Sequence, residues 1–171
     1  MTAIEAIYAR RSIRKYLEKP VEKEKLTELA RLGAAGPSAT NRCPWVFIIV
    51  DETEGMEKLR HTTMFGKFIA PAAMVVCGNM KKTLPLYAKD FWIQDCSAAM
   101  ENILLGAVEM GLGAVWLGIM PIKQAVRKMS KTLNLPDHIV PLGVAYIGYP
   151  DEEKEPRTQF TEDMVVWQSW E

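Results

Sequence analysis

The sequence predicts an α+β layered domain, and three observations lead there. Short apolar runs rich in β-branched residues recur at 45–50, 72–78 and 142–149. Stretches with helical apolar spacing separate them, and residues 90–110 are apolar on nearly every face, which places that helix in the middle of the molecule.

The elements follow in chain order. Residues 2–10 carry Ile4, Ile7 and Tyr8 at helical spacing after Thr2, a residue type that caps helices. After Pro20, "VEKEKLTELARLGAAG" sets Val21, Leu26, Leu29, Ala30 and Leu32 on one stripe, with Gly33 and Gly36 as stop signals. "WVFIIV" between Pro44 and Asp51, and "AAMVVCG" after Pro71, read as buried strands with a helix over 54–64 between them. "DFWIQDCSAAMENILLGAVEM" is the central helix, and "PIKQAVRKMSKTL" (121–133) is an amphipathic helix with Pro121 at its first position. "LGVAYIGY" is the third expected strand. The closing "TEDMVVWQSWE" has no place in a core already closed. Such a tail packs on a second subunit or folds back over its own domain.

A chain of 171 residues, 49% hydrophobic and 25% charged, suffices for a single core and shows no internal repeat or low-complexity tract. Its 21 basic and 21 acidic residues cancel, so the bulk positive field that nucleic-acid or anionic-membrane binding relies on is absent. Neither an apolar signal-peptide core nor a run of about 18 apolar residues is present. Cys43, Cys77 and Cys96 are odd in number, far apart and without a C-x-x-C pair, which fits reduced thiols and a cytoplasmic protein. Cys77 in a strand and Cys96 in the central helix read as inert packing, whereas Cys43 lies on a loop and, preceding Pro44, is expected to be extended.

Against that neutral background, "YARRSIRKY" packs Arg10, Arg11, Arg14 and Lys15 into six residues. In an extended chain Arg10, Ser12 and Arg14 share one edge while Arg11, Ile13 and Lys15 share the other. The first edge offers guanidinium forks and a hydroxyl suited to a phosphate and a further acceptor, and the alternative is a solvated charge run at a helix end. "GPSATNRCPW" (36–45) is a stiff loop whose Ser38, Thr40 and Asn41 could address hydroxyls or the amide-like edge of a ring, or simply form a turn. "GLGAVWLG" (111–118) misses the dinucleotide fingerprint because its third glycine comes two residues late and it follows a helix; it reads as a flexible backbone segment able to approach a flat ligand. His61 and His138 have no partner at metal-ligand spacing, and neither G-x-S-x-G nor a phosphate-binding P-loop occurs.

Taken in order, "ARRSIRKY", "GPSATNRCPW", "GLGAVWLGIMP" and "LGVAYIGYP…KEPR" resemble the nitroreductase family of FMN-dependent oxidoreductases over nearly the whole chain. The resemblance implies an α+β sandwich with a central mixed sheet flanked by helices. It further implies a single domain over 1–171 whose segment 150–171 embraces the other subunit of a homodimer, with FMN at the interface. It places Arg10 and Ser12 toward the FMN phosphate and ribityl chain, Arg14 toward the N1/O2 side of the ring, and Arg11 beside them. Pro37, Ser38, Ala39 and Asn41 would reach the flavin from the other subunit. Trp116, Leu117 and Gly118 would lie along the ring with a backbone N–H to N5, and Arg157, with Lys154, would return to the phosphate.

The implied activity is ping-pong hydride transfer from NADH or NADPH to a small electron-poor acceptor such as a nitroaromatic or quinone. The chemistry is carried by flavin N5 and no side chain acts as catalyst. A same-fold flavoenzyme with a different reaction, such as reductive dehalogenation or flavin breakdown, and a flavin-binding module without turnover stay open. Cys43 stands where relatives carry Gln, and the short region 79–92 offers Tyr87, Phe91 and Trp92 as wall residues.

Overall fold

The computed structural model describes residues 1–155 and 158–170. Helix α1 (Ala3–Ala9) is held at its start by a capping box in which Thr2 accepts the Glu5 N–H and Glu5 accepts that of Thr2. Then come α2 (Lys23–Ala34), β1 (Trp45–Val50), α3 (Thr53–Thr62), β2 (Ala72–Asn79), α4 (Phe91–Glu109), β3 (Gly113–Gly118), α5 (Lys123–Thr132) and β4 (Ile139–Gly148). Helix α5 starts after Ile122, two residues later than Pro121 suggested.

The sheet order is β1-β2-β4-β3, so β2 and β4 are central and buried along nearly their whole length. Alternate residues feed opposite faces. Met74 and Val76 meet Leu29, Met100 and Ile103 under α2 and α4, while Val75, Cys77, Val115 and Leu117 meet Leu59 and Met129 under α3 and α5. Three layers result: α4 with α2 and α1 beside it on one face, the sheet, and α3 with α5 on the other face.

Sheet details depart from expectation. Gly113–Gly118 is a fourth strand, because its residues pair with β4 from Gly113↔Gly148 to Gly118↔Gly143; glycine at both ends disguised it as a loop. Every ladder is antiparallel, so the expected mixed sheet is not found within these strands, and among the described residues the one parallel contact is the isolated bridge Ser12↔Ala114. Connections through helices leave strand direction undetermined in the sequence. Strand β4 begins at Ile139, before the expected start, because a register shift opposite Val76/Cys77 accommodates Pro141, which lacks the N–H a central ladder needs.

Two local expectations also change. Trp92 is 3% exposed in the core under α4 and cannot be a wall residue, since the first turn of α4 points it back toward the sheet. Cys43 has φ 46° instead of an extended backbone, because its N–H donates to the Ser38 hydroxyl at 2.9 Å and closes the loop on itself. Cys77 and Cys96 are buried, and burial pushes both thiols up to about 12. Among the described residues, no helix is long and apolar enough to cross a membrane.

Candidate active site

The basic segment is fixed to the outer edge of the sheet. Helix α1 stops at Arg10, whose φ −56°, ψ 129° turns the chain extended. Ile13 then donates its N–H to the Ala114 carbonyl at 3.1 Å. Ile13 is buried against Gly113, where an added Cβ would come within 2.8 Å of its side chain. Ile13 turns inward and Arg11 lies beside it in a pocket with Pro150 and Glu152–Lys154, as alternation expects of these two, whereas Lys15 is exposed.

The cations divide accordingly. Arg11 spends its donors on carbonyls, Nε on Glu155 at 2.9 Å and Nη1 on Tyr8 at 2.8 Å and Arg10 at 2.6 Å, and so braces the segment. Arg10 instead reaches α4, its Nε 3.4 Å from Glu101. Arg14 is exposed, and among the described residues its guanidinium hydrogen-bonds the Ser12 carbonyl alone, through Nη1 at 3.2 Å. Lys154 also donates to the Ser12 carbonyl and pairs with Glu152 at 3.2 Å, adding a further cation. Glu152 accepts the N–H groups of Arg14 at 2.5 Å and Lys15 at 3.2 Å. The Arg14 N–H above all, aided by Lys154, holds its carboxyl below the usual range.

Strand β3 supplies the second component. Because Ala114 turns its carbonyl outward to Ile13, alternation turns the backbone of Trp116 and Gly118 outward too, while that of Leu117 faces β4. Beyond Ala114 no strand pairs with this edge among the described residues, so those N–H groups are open to a ligand. Trp116 is 36% exposed, whereas the Leu117 side chain is buried under α5 and offers only backbone.

Pro37, Ser38, Ala39 and Asn41 are not brought to this edge. Their loop sits at the start of α4, where the Ala39 N–H donates to Asp95 Oδ1 at 2.8 Å. Arg10 meets the same helix at Glu101, about 9 Å further along its axis. Ser38 closes the loop, accepting from the Cys43 N–H, while Pro37 and Asn41 are exposed. Arg157 lies outside the described residues.

The loop from Thr63 to Ile69 was missed by sequence reasoning. It packs onto β3 through Gly66, where an added Cβ would lie 2.5 Å from Leu117 Cδ1, and its Thr63 hydroxyl binds the Gly66 carbonyl and the Tyr146 hydroxyl at 3.4 Å each. Met64 and Phe65 are exposed there. The available signal was "TTMFGKF", aromatics around a glycine between a helix and a strand. Tyr87 is almost wholly exposed and Phe91 partly so.

Fold and edge together define a class: a layered α+β domain in which a basic segment runs beside one edge strand whose outward backbone N–H groups the sheet leaves unpaired. Comparison with known proteins supplies the family. The model of the nitroreductase family matches residues 7–64 and 60–149. The chain is 38% identical, over 99% of its length and 88% of the relative's, to a protein of Methanothermobacter thermautotrophicus provisionally named an NADH dehydrogenase/NAD(P)H nitroreductase. A crystal structure from Parabacteroides distasonis, under the same provisional name, superposes with a TM-score of 0.91 at 39% identity, covering 98% of each chain. An FMN-dependent nitroreductase of Clostridium difficile does so at 0.87 and 31% identity, covering 98% of this chain and 99% of its own. This chain belongs to the nitroreductase family.

Proposed function

We propose that the protein is an FMN-dependent oxidoreductase that draws on NADH or NADPH and reduces small electron-poor acceptors, such as nitroaromatics or quinones, by a ping-pong cycle. The observation that carries the reading is the alignment of segment 10–14 beside β3, through the Ser12↔Ala114 bridge and the Ile13 N–H to Ala114, with the exposed Arg14 guanidinium and the unpaired Trp116 and Gly118 N–H groups near that edge. The donor set fits FMN, since guanidinium groups match a phosphate and a row of N–H groups matches the polar rim of a flat ring. When bound, FMN supplies reversible hydride acceptance and donation.

The chain's own residues bind and orient. Arg10 and Ser12 hold the phosphate and ribityl chain. Arg14 would lie toward N1 and O2, where a guanidinium would favour the more negatively charged, reduced form of the bound group. The Trp116 or Gly118 N–H addresses the ring, while Arg11 braces the segment instead of touching the ligand. No side chain is assigned as acid, base or nucleophile; orientation and exclusion of water are what the protein contributes. Pro37, Ala39 and Asn41 complete the site from a second copy of the chain. Val166, Trp167 and Trp170, exposed on the single chain, support a dimer clasped by the tail.

The test is the absorption spectrum of the purified protein before and after anaerobic NADH or NADPH. A yellow protein bleached by either nucleotide is expected; a colourless one that takes up no added FMN would overturn the proposal.

A further inference from the structure

Beside the C-terminal end of β3, loop 63–67 and the first turns of α5 enclose a cavity of about 330 Å³, lined by Thr63, Met64, Lys67, Ile122, Gln124 and Lys128 among others. It adjoins the proposed flavin edge, because Gly66 of this loop packs on Leu117 and Ile122 follows β3 by only four residues. The charge around it is one-sided. Helix α5 carries Lys123, Arg127, Lys128 and Lys131 and no acid. Neither these nor Lys67 has a carboxylate within ion-pair distance among the described residues, whereas Lys58 and Arg60 on neighbouring α3 are paired with Glu54 and Glu57.

Two of these cations are tied to the same helix end. Lys67 Nζ donates to the Arg60 carbonyl at 3.3 Å and Lys128 Nζ to the His61 carbonyl at 2.7 Å, consecutive acceptors in the last turn of α3. Each ammonium keeps further N–H donors, so the pair can be bridged by an anion with several acceptor oxygens. Met64 and Ile122, both exposed, add apolar wall for a sugar or base.

We propose that this cavity binds a phosphate of the nicotinamide nucleotide that reduces the flavin, with Lys67 and Lys128 as its ligands; the assignment rests on the flavin reading above. The test compares wild type with Lys67→Ala, Lys128→Ala and the double variant. It measures KM and kcat for NADPH and NADH, direct binding of NADP⁺ and NAD⁺ by calorimetry, flavin content and melting temperature. The double variant should raise KM and weaken calorimetric binding by roughly tenfold, with kcat and flavin content unchanged, and Arg at both positions should restore binding. A change confined to NADPH and NADP⁺ assigns the 2′-phosphate, and an equal change for both nucleotides assigns the pyrophosphate.

Unchanged binding of both nucleotides in folded, yellow protein overturns the proposal and leaves the lysines as caps of α3. An equal loss on Lys131→Ala, outside the cavity lining, also overturns it by showing a diffuse field. If wild type holds no flavin, the flavin reading fails and this assignment falls with it.

Discussion

Asp95 Oδ1 accepts the Ala39 N–H at 2.8 Å, and Asp95 is 6% exposed. A buried carboxylate on α4 thereby fixes a loop in which Thr40, Asn41 and Cys43 all have positive φ. Asp95→Ala leaves the Ala39 N–H without its acceptor and should cost about 1–3 kcal/mol in urea unfolding. Asp95→Asn keeps a carbonyl acceptor and should cost less. If the loop serves a flavin, the Ala variant also loses cofactor on dialysis while Asn retains most of it. Equal stability in both variants would dismiss the bond as a determinant of the loop.

Arg10 and Arg11 are neighbours with opposite consequences. Arg10→Ala should weaken FMN binding at least tenfold, the equivalent of about 1.5–3 kcal/mol for a hydrogen bond to a charged group, with little change in melting temperature. Arg11→Ala removes a brace on the Tyr8, Arg10 and Glu155 carbonyls and should lower the melting temperature of the apoprotein. Fluorescence titration with FMN and thermal melts of both apoproteins separate the two roles.

Glu152 predicts an acid limit. Its folded pKa is depressed, so its tether of Arg14 and Lys15 stabilises the protein above the unfolded value near 4.5 and is lost as pH falls through the folded value. Glu152→Gln should lose stability near neutral pH and show a shallower decline in acid. A denaturant series at several pH values gives both slopes, and parallel slopes would refute the assignment.

The thiols predict a modification pattern. Cys77 and Cys96, raised to about 12 by burial, should resist iodoacetamide in the native protein at mildly alkaline pH. Mass spectrometry should find only Cys43 modified before denaturation and all three thiols after it.

The tail predicts association. Trp167 and Trp170 are 79% and 84% exposed on the single chain. In solution a dimer should form, and Trp167→Glu with Trp170→Glu should shift sedimentation toward the monomer and reduce bound flavin. A wild-type monomer would remove the dimeric part of the proposal.

Where one neighbourhood of residues carried the signal, the sequence by itself determined the answer. Thr2 announced the first cap, the all-round apolarity of 90–110 announced a helix packed on both sides, and the alternation of Arg10, Ser12 and Arg14 against Arg11 and Ile13 followed from the extended chain alone. These depend on periodicities of two and 3.6 residues, which the chain displays locally. The tertiary structure decided the rest. Gly113–Gly118 became a strand only because β4 pairs with it, Trp92 left the surface because α4 presses it toward the sheet, and Arg11 became a brace because Glu155, far away in sequence, lies within reach. Ladder pairing, burial and guanidinium contacts join residues distant along the chain, and no local pattern encodes which distant partner will arrive.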